Sequence, residues 1–146
     1  MQADRMRAPT VLLREILDIS EEFERRLGRH LAVNPTDLSA MEHLIASGPL
    51  SPSELARRLG ISPAAVTTVI DRLTAAGHVA RTPNPDDRRG VLVAAAPDSV
   101  AAAMAQLMPM IGDIDRVIDE FDEREAATIE RYLRRVVERY RAHVEE

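Results

Sequence analysis

The apolar positions of this chain recur mainly at helical spacing. From Pro9 onward, Leu12, Ile16, Ile19, Phe23, Leu27 and Leu31 follow one another every three or four residues, with Leu13, Leu17 and His30 widening the stripe. This predicts a long helix that needs more than one neighbour, although Gly28 inside it argues against an unbroken one. A side-chain acceptor stands directly before a proline at Asn34–Pro35, Ser51–Pro52 and Ser62–Pro63, each ahead of a helical stripe. Each pair is a helix start, because the cap satisfies a free backbone N–H and proline lacks one that would go unused. Asp37 and Glu54, three residues after their caps, complete capping-box spacings, as does Glu125 after Asp122. The faces these starts bury are Leu38, Met41, Leu44 and Ile45; then Leu55, Ala56 and Leu59; then Val66, Val69, Ile70 and Leu73. Ser47, Gly48 and Pro49 close the first of these helices, and Gly60 ends the second after about two turns.

After Gly77 the pattern becomes extended: HVARTP and RRGVLVA flank the turn-rich NPDD, which predicts a hairpin with Asp86, Asp87, Arg88 and Arg89 at its tip. Leu50 reads as a brief third strand beside it. Pro97 and Asp98 open an alanine-rich helix carrying Val100, Met104, Leu107, Met108 and Ile111. Pro109 should kink that helix rather than end it, since the stripe continues through Ile114, Val117, Ile118 and Phe121. A last helix buries Ala126, Ile129, Leu133, Val136, Val137, Tyr140 and Val144. Residues 1 to about 8 lack periodicity and read as a frayed end.

Two short helices in immediate succession followed by a hairpin make residues 51–96 a winged helix-turn-helix. The fold class is therefore mainly α with a small β-hairpin wing. It divides into a dimerisation helix (1–33), a DNA-binding lobe (34–96) and the C-terminal helices of a dimerisation lobe (97–146). The second short helix presents Pro63, Ala64, Ala65, Thr67, Thr68, Asp71 and Arg72 outward. A face so small near its start can press into a major groove, where Thr67 and Thr68 offer hydroxyls and methyls and Ala64 and Ala65 meet thymine methyls. Arg72, later on the helix, suits a phosphate. The candidate DNA-binding set is Ser62, Ala64, Ala65, Thr67, Thr68 and Arg72, with Arg57 and Arg58 on the preceding helix and Asp87, Arg88 and Arg89 in the wing. A guanidinium at the tip can enter an A·T-rich minor groove, and Asp87 is expected to orient Arg89 through a carboxylate fork. Arg81 is expected to be an ion-pair partner at the base of the wing.

This segment resembles the MarR family of bacterial transcription regulators. The likeness is carried by Leu55 and Ala56, by the DRL of Asp71 to Leu73, by the following glycine and Arg81, and by a D-x-R-x-x-x-[VI] signature at Asp87, Arg89 and Val93. Ala95 and Ala96 stand where that signature usually has Leu and Thr. The resemblance implies a twofold dimer in which the N-terminal and the last two helices interlock. It further implies a support helix under the helix-turn-helix, and a small anionic or aromatic effector bound where the lobes meet, near His30 and His43. Two recognition helices in successive major grooves, about 34–36 Å apart, call for a pseudo-palindromic site on double-stranded DNA.

Composition changes this picture in three places. The net charge is −5, yet residues 51–96 hold six arginines against four acids, a local +2 that leaves −7 to the remainder. The absence of cysteine excludes disulfides and thiolate metal sites, and His30, His43, His78 and His143 lack ligand spacing, so neither a metal nor a cofactor is implied. No run reaches the ~20 apolar residues of a membrane helix and the N-terminus lacks a signal peptide's apolar segment, so a cytoplasmic protein is expected. No nucleophile with a base and no phosphate loop points to an enzyme. Arg57, Arg58 and Arg72 have a competing reading as solvated surface arginines, and both histidines one as packing residues. The alternative to a DNA-binding repressor is a winged helix used only for protein contacts.

Overall fold

The computed structural model describes residues 6–145. Most of the stretch expected to fray lies outside them, and Ala8 is already helical. The chain runs α1 (Ala8–Leu31), α2 (Pro35–Ser47), α3 (Pro52–Leu59), α4 (Pro63–Ala75), β1 (Val79–Asn84), β2 (Asp87–Ala95), α5 (Pro97–Arg116), a single 3-10 turn (Val117–Glu120) and α6 (Glu123–Val144). It forms two compact units that divide between Ala105 and Gln106, inside α5.

The starts are set as the cap-then-proline pairs require. Asn34 accepts from the Asp37 N–H at 2.8 Å, Ser51 from Glu54 at 3.2 Å and Ser62 from Ala65 at 3.1 Å. The capping box, however, closes reciprocally only at Asp122 and Glu125. Asp37 and Glu54 turn instead to arginines, because a guanidinium is a stronger partner for a carboxylate than a backbone amide. Gly28 does not interrupt α1. It is buried, and a Cβ there would stand 3.2 Å from the Val33 carbonyl oxygen, so glycine lets the chain fold back closely onto the helix.

The core of the first unit joins Leu27 and Leu31 of α1 to Leu38, Met41 and Leu44 of α2, Leu55 of α3, all four expected positions of α4, and Val79 and Val93 of the hairpin. α2 packs against α1, α3, α4 and β2, as a support helix should. The strands pair antiparallel from Val79↔Ala95 to Pro83↔Val91, and the next pair is Asn84↔Asp87. Arg88, Arg89 and Gly90 are thus extra residues on one strand, a bulge that pushes them out of the ladder. The third strand expected at Leu50 is one bridge to Val93, held by hydrogen bonds of 3.0 and 2.7 Å.

Three expectations need correction. The α1 stripe is buried only at Leu27 and Leu31, while Leu12, Ile16 and Ile19 are 56–59% exposed. No residue of α6 is buried: Leu133, Val137, Tyr140 and Val144 are open to solvent. Finally, α5 runs through Pro109 to Arg116, and the helical pattern breaks at the 3-10 turn instead of continuing to Phe121.

Candidate nucleic-acid interface

The outward face of α4 is built by elimination. Val66, Val69, Ile70 and Leu73 point into the core, which leaves Ala64, Thr67, Thr68, Asp71 and Arg72 exposed and Ala65 half-buried. Ser62, also exposed, spends its oxygen on the cap. The threonine hydroxyls turn back along their own helix: Thr67 donates to the Pro63 carbonyl at 3.0 Å and Thr68 to Ala64 at 3.4 Å. What remains presented outward is methyl groups and oxygen lone pairs.

Four of the six arginines in residues 51–96 are already paired. Arg72 grips Asp37 with a two-pronged fork, Nε to Oδ2 at 2.7 Å and Nη2 to Oδ1 at 2.8 Å, which ties α4 to the first turn of α2. The Asp37 carboxylate raises the Arg72 pKa further above its ordinary value. The fork uses two of the five guanidinium N–H donors, so a phosphate contact by Arg72 is left both hydrogens of Nη1 and the second of Nη2. Arg57 and Arg58 both bond Glu54, and these hydrogen bonds hold the Glu54 carboxyl down at about 2. Arg58 also donates to the Ser47 hydroxyl at 2.5 Å. Arg81 pairs with Asp71 at 2.5 Å and reaches Thr74, the ion pair expected at the base of the wing.

Arg88 and Arg89 stand apart. Both are exposed, and among the described residues neither guanidinium has a hydrogen-bond or ion-pair partner. The fork expected between Asp87 and Arg89 is absent. Asp87 Oδ1 instead accepts from the Arg89 backbone N–H at 3.0 Å, and Asn84 Oδ1 from the Asp86 N–H at 3.0 Å. Such turns two residues apart close with little loss of freedom, and they shape the tip while leaving the guanidinia free. The bulge, the turns and the missing partners together make the wing the least neutralised basic feature of residues 51–96.

Two residues escaped the sequence reading. Asp37 is buried, with its side chain only 4% exposed. Its spacing from Met41 and Leu44 set an acid on an apolar stripe, which was the available signal of a buried partner. His78 joins three elements: Nε2 lies 3.0 Å from the Leu31 carbonyl and Nδ1 2.9 Å from the Ser99 hydroxyl. A carbonyl only accepts, so Nε2 carries the proton and Nδ1 of the neutral ring takes the Ser99 hydrogen. Nothing in the local sequence marks this histidine.

His30 is exposed rather than packed and His43 is half-buried. A cavity of about 450 Å³ opens between α1 and α2, bordered by Glu21, Glu24, Arg29, Val33, Leu38 and Glu42, with neither histidine on its wall. Partial desolvation at the cavity wall, then the charge of Glu24, raises the Glu42 carboxyl above its ordinary value. No group of three or more His, Asp or Glu among the described residues is arranged to hold a metal. No described helix is long and apolar enough to cross a membrane.

The sequence model of the MarR family matches residues 33–90. The HTH-type transcriptional regulator YcgE of Bacillus subtilis is 39% identical over 49% of this chain and 46% of its own, so the matched region spans about half of that relative. The multiple antibiotic resistance protein MarR of Escherichia coli is 30% identical over 82% of this chain and 85% of its own. Its apo crystal structure superposes with a TM-score of 0.54 at 27% identity, over 86% of this chain and 96% of that one. A mutant of Staphylococcus aureus MepR bound to an oligodeoxyribonucleotide shares the fold, with a TM-score of 0.62 at 13% identity over 92% of this chain and 99% of that one.

Proposed function

The chain belongs to the MarR family of transcriptional regulators, with a DNA-binding winged helix, and on that premise we propose that it is a dimeric repressor of a pseudo-palindromic operator whose affinity a small molecule adjusts. The observation that carries this reading is the pairing of a small, uncharged α4 face with two unpartnered arginines on a bulged wing. In it, α4 enters the major groove with Ala64, Ala65, Thr67 and Thr68, Ser62 meets the backbone at the helix start, and Arg88 and Arg89 reach the neighbouring minor groove. Asp87 shapes the wing tip. Arg57, Arg58 and Arg72 brace the unit and lie close enough to the duplex to add to its field.

Dimerisation is supported by what a protomer leaves open. Of the exposed large apolar side chains, all but Met6 and Val91 lie on α1 or from α5 onward. Stripes of this extent on a soluble chain mark an interface, and a twofold partner would repeat the α4 face at the spacing of successive grooves. An effector acts only by binding the two spacings of α4 with different affinity. The α1–α2 cavity is the proposed place for it, since that cavity adjoins the support helix on which α4 rests.

A second reading, a winged helix devoted to protein contacts, draws on the pairing of Arg57, Arg58, Arg72 and Arg81. Footprinting of the DNA upstream of the protein's own reading frame separates the two. A protected pair of half-sites, weakened by Arg89→Ala without loss of dimer, supports the repressor; no protection, or full protection by the variant, removes the wing assignment.

A further inference from the structure

We infer that α4 reads its half-site through thymine methyl groups and not through guanine acceptors, so that the bases beneath Ala64, Thr67 and Thr68 are A·T pairs. This rests on the proposed docking of α4 in the major groove and goes one step further, to the chemistry of the bases chosen.

Recognition of guanine in the major groove uses hydrogen-bond donors aimed at O6 and N7, most often a guanidinium or ammonium. Every guanidinium on or beside the α4 face is already held in an ion pair. Arg72 is committed to Asp37 through its fork, and Arg81 to Asp71. Arg57 and Arg58 are committed to Glu54. The threonine donors are spent too, because the hydroxyl hydrogens of Thr67 and Thr68 go to the carbonyls of Pro63 and Ala64, which leaves the Ser62 hydroxyl hydrogen, at the very start of the helix, as a neutral donor. The Ala65 N–H is likewise taken by the Ser62 cap.

The same bonds fix what is offered instead. A threonine whose hydroxyl folds back along its helix has a settled rotamer, and its methyl is presented as a defined apolar point. Ala64 adds another one turn earlier. In the major groove only thymine carries a matching apolar group, its C5 methyl. The wing selects in the same direction by a separate route, since a narrow A·T minor groove concentrates the negative potential that unpaired Arg88 and Arg89 seek.

The test begins with selection of binding sites from a random duplex library by the full-length protein. Deoxyuridine is then placed for thymidine, or 7-deazaguanine for guanine, within the selected half-sites. Burying one methyl against another is worth about fourfold in affinity, and a dimer meets each position twice, so deoxyuridine under α4 should cost about fifteenfold and 7-deazaguanine less than twofold. Thr68→Val keeps the methyl and discards the hydroxyl, and should bind within about threefold of the parent. Thr68→Ser keeps the hydroxyl and discards the methyl; it should lose about fifteenfold, with little further loss on deoxyuridine sites, because the two changes remove one contact.

Conserved guanines under α4 with loss on 7-deazaguanine, or Val impaired and Ser tolerated, would overturn the inference. So would a selection that enriches no sequence while salt-sensitive binding to random DNA persists, although the DNA-binding reading would then survive. Absence of any duplex binding by the folded protein removes both.

Discussion

Replacing Arg72 by methionine keeps the aliphatic stem and deletes the fork that holds Asp37. The carboxylate left behind is 4% exposed, whereas the arginine side chain was 48% exposed. Stranding one member of a buried ion pair costs about 3–5 kcal/mol. Water already reaches the guanidinium side here and screens the pair, so about 2–3 kcal/mol is the better figure. For a chain of this size one kcal/mol moves the melting temperature by about 3 °C, which predicts a fall of about 6–9 °C. Asp37→Asn, which strands a half-exposed arginine that can turn to solvent, should cost only about 1 kcal/mol. The combination Asp37→Asn with Arg72→Met should then be more stable than the sum of the two losses implies, by about 1–2 kcal/mol. Thermal and urea melts at one fixed protein concentration, fixed because a dimer melts in a concentration-dependent way, measure all three. Strict additivity, or an Arg72→Met variant within about 0.5 kcal/mol of the parent, would refute the claim that this fork fixes α4 on α2.

Other predictions rest on different elements. Glu42 has a raised folded-state pKa, so the folded chain holds that proton more tightly than the unfolded one does, and stability falls as pH rises through the raised value. Glu42→Gln should therefore give a small gain in melting temperature at pH 7.5 that disappears at pH 3.5; a gain equal at both would place its cause elsewhere. Glu54, held down at about 2 by Arg57 and Arg58, has the opposite sign. Its contribution is present above the ordinary carboxylate range and lost as pH falls toward 2, so melts of Glu54→Gln and the parent should converge near pH 2. Leu133→Glu with Val137→Glu places two charges on the open face of α6. Analytical ultracentrifugation should show a folded monomer with unchanged circular dichroism; an unfolded chain would mean that face is covered within one protomer, and an intact dimer that it is no interface.

The first unit was legible in the sequence because local signals and tertiary packing agree there. Ser51–Pro52, Gly60, Ser62–Pro63 and the Val66, Val69, Ile70, Leu73 stripe each demand the same short helices, and all are realised. The outer helices were legible as helices but not in burial, since a periodic stripe records an apolar face without saying what, if anything, covers it. Leu12, Ile16, Leu133 and Tyr140 show this. The candidate site was legible in its residues and not in their bonds. Spacing located Arg89 and Asp87 at a tip, but backbone turn geometry, not charge, decides what Asp87 accepts. Asp37 and Arg72 lie 35 positions apart, beyond any periodicity that links neighbours on one helix.

The salt dependence of binding to duplex DNA bears most directly on the central claim that α4 and the wing dock on a double helix. The unpaired Arg88 and Arg89, present twice in a dimer, are four charges that meet phosphates or the minor groove, so log Kd against log salt should be linear with a slope magnitude of about 3–4, near 0.9 for each charge neutralised. The double variant Arg88→Ala with Arg89→Ala should lose most of that slope. An affinity that scarcely changes between 50 and 200 mM salt (about threefold or less), or a slope the double variant leaves intact, would contradict it.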